Sequence, residues 1–242
     1  MKPWSHTRVA PDRTHHLLDG KPLYDARFTE VLSFHEPGLA AVRDATGAFH
    51  IDLQGTALSS RRFIRTFGFY EGLAAVVDAE GAFHLRMDGQ ELTLGRHAWC
   101  GNFQDGRCPV RAKDGRYFHI HGQGGPVYDE RYAYAGDFRD GYAVVQESSG
   151  LHLHIDKQGR PLNARRFLDL DVFHKGLARA RDAGGWHHVD ATGDALYARR
   201  FAFVEPFYNG QARVETLDGA LQVIDEQGVT IVELRARLPE PT

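Results

Sequence analysis

A unit of 34 to 35 residues recurs from about residue 4 to residue 235, and this repeat constrains the fold more than any other feature. Two glycines and an arginine punctuate it. A turn glycine stands at Gly20, Gly55, Gly89, Gly124, Gly159, Gly193 and Gly228, and seven residues after each comes Arg27, Arg62, Arg96, Arg131, Arg166, Arg200 or Arg235. The other glycine closes an "F-x-x-G" phrase at Phe69–Gly72, Phe103–Gly106, Phe138–Gly141, Phe173–Gly176 and Phe207–Gly210, with a looser copy from Phe34 to Gly38. A histidine phrase lies between them, as in "AFHIDLQG" and "HLHIDKQG", with His16, His50, His84, His119, His154 and His188 in one slot and Val223 in the seventh. A segment this short cannot bury a core alone, so each unit must pack on its neighbours. No linker or change of composition interrupts the series, which predicts one domain of seven units over residues 1–242.

Each unit reads as β-structure. After the "F-x-x-G" glycine, small and apolar residues alternate, as in Ala40 and Val42, Ala74 and Val76, Ala143 and Val145. That period of two predicts a strand with one packed face. The next strand carries the histidine phrase, with Ile51, Leu85, Ile120, Ile155, Val189 and Ile224 in one slot. Glycines every ten to fifteen residues weaken any helix signal. Three or four short strands per unit predict an all-β fold: a β-propeller of about seven short blades. Six blades plus a closing half unit, or a β-solenoid, are the alternatives.

The unit resembles the WG-repeat family, whose repeat runs through a "W-G-[FY]-I-D-x-x-G" turn and a short apolar strand to "F-x-[ED]-G-L-A-x-V". Here "FYEGLAAVVD" and "HIDKQG" match those elements. The Trp-Gly pair is missing; Trp186–His187 is the nearest copy, and histidine replaces the aromatic before the isoleucine in nearly every unit. The resemblance implies a propeller and a binding or scaffold role.

Composition narrows the partners. A net charge of -3 with neutral histidine gives no support for nucleic acid as a partner. No apolar run is long enough for a membrane helix. The two cysteines, Cys100 and Cys108, form no metal-finger pattern, and a reducing, cytoplasmic location is expected. Cys108 takes a small buried slot, whereas Cys100 lies in a variable connector and is expected to be more exposed.

The repeated polar residues have structural explanations beside functional ones. Asp52, Asp156, Asp190 and Asp225 each precede a glycine by three, the pattern of a type I turn. The repeated arginines fit salt bridges, or caps on carbonyls of a neighbouring unit. The histidines fit buried, hydrogen-bonded packing positions, and Val223 points the same way. A divalent metal would need two or three imidazoles to converge. The candidates are His119, His121, His152 and His154, in pairs two apart on a strand.

Function is expected where the repeat breaks. The turn aspartate becomes Arg86 and then His121, Arg107 replaces the leucine of the usual "G-L-A", and Trp99 occupies the connector. These residues predict one recognition patch over 86–125. One connector position also holds Glu30, Arg65, Trp99, Tyr134, Asp169 and Phe203 in successive units, which adds Tyr134 to the ligand-binding candidates. Two functions follow. One is a module that binds a protein, peptide or small ligand, as the partner of a biosynthetic enzyme. The other is a metal-dependent enzyme using histidines from several repeats around a central cavity.

Overall fold

The computed structural model describes residues 3–236. They form seven small antiparallel sheets, one per repeat unit, and a single turn of 3-10 helix at Pro3–His6. The second unit shows the pattern, with strands Glu30–Val31, Ala40–Asp44 and Gly47–Ile51 in that order across the sheet. Val31 pairs with Val42, which pairs with Phe49. Isolated bridges, Ile51 to Ala57 and Ala48 to Phe63, add a fourth edge. In the seventh unit that edge is a full strand, Thr230–Arg235. The first unit instead comprises Thr7–Val9, His16–Leu18 and Lys21–Pro22. This is the all-β, seven-bladed propeller class expected from the repeat.

The chain divides into two compact halves at Asp129/Glu130. In the first half, the first strand of a unit contacts the histidine strand of the unit before it, as Arg65–Tyr70 does with Gly47–Ile51. The second half repeats the arrangement, with Asp169–Leu170 against His152–Asp156. The expected one-faced strand holds in the seventh unit, where Ala212 and Val214 are buried and Gln211 and Arg213 exposed. It is incorrect in the second, where Ala40, Ala41 and Val42 are all buried, as are Phe49, His50 and Ile51, so there alternation marks side-chain size and not exposure.

Turn chemistry explains the two glycine series. In "F-x-x-G", the glycine and the residue before it both have positive φ, as at Glu71 (51°) and Gly72 (79°) or Asn209 (51°) and Gly210 (73°). Two such residues in succession make the two-residue hairpin loop whose twist suits paired strands. The turn after the histidine strand uses its aspartate as expected. Asp52 Oδ1 accepts the amides of Gln54 and Thr56, both at 2.9 Å, and Asp156, Asp190 and Asp225 accept the equivalent pairs.

Gly55 has a further role. A Cβ there would meet Tyr24 Cγ of the preceding unit at 2.9 Å, whereas at Gly20, with the same φ of 77°, it would meet nothing within 4 Å. Gly20→Ala is expected to cost about 1–2 kcal/mol, the price of a left-handed residue. Gly55→Ala is expected to cost more, because the tyrosine must also move. Denaturant unfolding of the two variants checks this, and equal losses would show that the Tyr24 contact carries no stability.

Candidate binding face

The histidine slot belongs to the scaffold. Nε2 of His16, His50, His84, His154 and His188 lies 2.8–3.0 Å from the carbonyl oxygens of Leu32, Phe67, Gly101, Asp171 and Glu205, each in the following unit. A carbonyl only accepts, so Nε2 carries the proton. Nδ1 is then an acceptor, and in three units it takes the hydroxyl of Tyr24, Tyr128 or Tyr197 at 2.5 Å. The rings also pack on the following unit's "F-x-x-G" phenylalanine, with centroids 4.3 Å apart for His16 and Phe34 and 4.1 Å for His154 and Phe173. Burial keeps these imidazoles neutral: it holds His84, His154 and His188 down to about 4 and lowers His16 and His50. It also pushes the Tyr24 phenol up to about 12, which preserves the donor.

Each of the four metal candidates has a hydrogen-bond partner of its own. His119 uses Nδ1 on Tyr128, and His154 uses Nε2 on Asp171 O. His152 Nδ1 faces Leu168 O at 3.2 Å. His121 replaces the turn aspartate, accepting the Gln123 amide on Nδ1 at 3.2 Å. Among the described residues, no three His, Cys, Asp or Glu side chains within either half are grouped to hold a metal ion. The repeated arginines are likewise internal, but they act within their own unit and not on a neighbour. Arg96 bonds Asp78 and Glu91 and lies 3.6 Å over Phe83; Arg200 bonds Asp182 and three loop carbonyls. Cys100 differs from expectation: it is buried, and burial pushes its thiol up to about 12, far from a reactive thiolate. Cys108 is buried as expected.

The patch expected over 86–125 divides in two. Arg107 pairs with His121 at one end of its sheet, beside the Asp105–Gly106 turn. Arg86 occupies the matching end of the preceding sheet, opposite Leu73, and the adjacent turns are joined by the Gly106 amide donating to Glu71 at 2.8 Å. Trp99 pairs with Arg111, four residues further along, which pairs with Tyr117. Four residues of strand is about 13 Å. Trp99 therefore cannot anchor the same small patch as Arg107 and His121.

Trp99 instead marks the other edge, where the connector position opens each unit's first strand. In the first half this row holds Glu30, Arg65 and Trp99, and the second strand opposite presents Arg43, Val77 and Arg111. Trp99 is 43% exposed and its ring centroid lies 6.2 Å from that of Tyr117; the Arg111 guanidinium lies 6.0 Å from the Tyr117 ring. Between the second and third units lies a recess of about 430 Å³, lined among others by Glu30, Arg43, Arg65, Thr66 and Phe67. In the second half the row holds Tyr134, Asp169 and Phe203, with both aromatics exposed. Sequence reasoning named the row but missed Arg43, Arg111 and Tyr117. Strand register was the signal needed, since it sets these residues opposite Glu30 and Trp99.

This is an all-β repeat protein of the propeller class, with a scaffold of buried histidines and a variable row at its strand ends. The WG resemblance holds at the level of the repeat: the family model described as WG containing repeat matches residues 120–149. No curated protein sequence matches the chain. Among solved structures it is similar to a eukaryotic initiation factor, at 12% identity over 87% of this chain and 67% of that one, with a TM-score of 0.53. It is also similar to BamB from Moraxella catarrhalis (14%, 90% and 78%, 0.48) and to the C-terminal WD40 domain of Sif2 (11%, 82% and 67%, 0.40). At 12% identity the first likeness shows the fold alone.

The depressed histidines set a pH dependence. An unfolded chain binds these protons near 6.5 and the folded one only near 4, so stability is full above about pH 7 and falls as pH drops through that window. Each of His84, His154 and His188 is expected to withdraw about 3 kcal/mol once the fall is complete. Urea midpoints measured from pH 7.5 to 4.5 check the slope, and a flat profile would show that the imidazoles are not buried neutral.

Proposed function

We propose that this protein is a protein-binding module whose contact surface, taken in each half by itself, is the row opening the first strands. The observation that carries the reading is that Trp99, Tyr134 and Phe203 are 42–48% exposed at one slot of the repeat. Large aromatics left in water at equivalent places are costly unless covered, and Trp, Tyr and Arg dominate binding hot spots. The scaffold contacts lie elsewhere: the histidines, phenylalanines and turn glycines hold units together without using this slot. Arg86 and Arg107 form a second, smaller contact area at the opposite strand ends, where His121 serves as the turn acceptor. The partnership with a biosynthetic enzyme and the cytoplasmic location belong to this proposal. So does a single functional domain, since the repeat register runs from His119 to His154 without a break at residue 129.

The test compares proteins retained by the wild-type chain with those retained by Trp99→Ala and by Tyr134→Ala, each confirmed as folded by its thermal midpoint. A partner retained by the wild type and weakened at least tenfold by either substitution is expected. Identical retained sets would remove the row as the contact surface.

A further inference from the structure

We infer that the first half of the row recognises an acidic segment of a protein partner, seated across Arg43, Arg65 and Arg111 with its apolar side chains on Trp99 and Tyr117. The inference rests on the proposed binding role and adds the chemistry of the partner. Three observations support it.

The first is uncompensated charge. Arg65 and Arg111 are exposed, and neither has a carboxylate partner among the described residues. Arg43 donates from Nη2 to the Ile64 carbonyl, which pins the side chain at the recess and leaves four of the five guanidinium N–H groups for a ligand. Glu30, the one acidic residue lining the recess, is already paired with Arg13 at 3.2 Å. By contrast, Arg61 and Arg96 share Glu91 and Arg166 holds Glu147, while Arg27 and Arg62 of the repeated series cap loop carbonyls of their own units. On a chain of net charge -3, this is a local cationic field against an acidic background.

The second is spacing. The three arginines come from the second, third and fourth sheets of the series, and the sheets are in contact through the Arg65–Tyr70 and Trp99–Cys100 strands. Packed sheets lie about 10 Å apart, so the row spans about 20 Å. That is too wide for one small anion and matches about six residues of extended chain.

The third is the mixture of side chains. Guanidinium groups hold carboxylates through paired N–H donors, while Trp99, Tyr117 and Phe67 offer ring surface beside them. The second half lacks this combination: its row holds Tyr134, Asp169 and Phe203, opposed by Gln146, Arg181 and Glu215. The acidic segment is therefore assigned to the first half.

The probe is a dye-labelled octapeptide of six glutamates flanking two phenylalanines, titrated with the full chain by fluorescence anisotropy. A glutamine version of equal length serves as the control. Binding of the glutamate peptide alone is expected, weakened by salt and reduced at least tenfold in Arg65→Glu and in Arg111→Glu. Both sites are exposed, and unchanged thermal midpoints would confirm folding. Equal binding of the two peptides, unchanged binding by both variants, or no binding at millimolar peptide would each overturn the inference. Displacement by free glutamate at the same carboxylate concentration would do so too, by assigning the arginines to a small anion. A partner sensitive to Trp99→Ala but indifferent to Arg65→Glu would leave the binding role standing and remove only its acidic chemistry.

Discussion

The neutral imidazole that donates to the next unit's backbone is the interaction on which this architecture depends. The first strand of a unit is two residues long in most units, and its pairing breaks before the "F-x-x-G" turn; where the strand runs on, a register shift falls between Thr66 and Phe69. Such a break releases carbonyls from the ladder, and a buried carbonyl without a donor is costly. Leu32, Phe67, Gly101, Asp171 and Glu205 offer those carbonyls, and the preceding unit's histidine meets each one. A phenylalanine in the slot would pack equally well but would leave the oxygen unpaired. A lysine would carry its charge into the core. Histidine supplies a flat ring, one N–H, and no charge while burial keeps it neutral.

The turn glycines and arginines work around this contact. Gly55 lets Tyr24 close against it, and Tyr24 in turn donates to His16, so one tyrosine links a turn to an imidazole across the unit boundary. The same arrangement recurs with Tyr197, His188 and Gly228. The arginine seven residues on ties loop carbonyls to the acidic turn of its own hairpin, as Arg200 does with Asp182. Stability therefore comes from many small, repeated junctions, consistent with a chain whose units cannot bury themselves alone.

Much of this was legible in the sequence because it is periodic. Unit length, strand number, the aspartate turns and the burial of the histidines all follow from residues that recur in register. What escaped was register between strands. Trp99, Arg107 and His121 are close along the chain, which made one patch of them, yet cross-strand pairing puts Trp99 beside Arg111 and Tyr117 and leaves Arg107 beside His121. Likewise, Cys100 sits in a connector that varies from unit to unit, yet it pairs with Val110 and is buried, because the strand it belongs to is only two residues long. A two-residue strand has no period to detect.

His121 shows how a broken repeat can still be structural. It departs from the aspartate pattern, which marks it as a functional candidate, but its Nδ1 takes the turn amide that the carboxylate takes elsewhere. Variation alone is thus a weak guide; variation at a position the fold does not use is a stronger one. The first-strand slot satisfies that condition, since Glu30, Arg65 and Trp99 differ completely while the following residues Val31, Thr66 and Cys100 are all buried. In Glu30–Val31 and Trp99–Cys100 one residue anchors the sheet, and its neighbour on the opposite face of the pleat is left to the solvent. The scaffold meets its own polar needs with neutral histidines and bonded arginines, whereas Arg65 and Arg111 stand exposed with no carboxylate partner among the described residues.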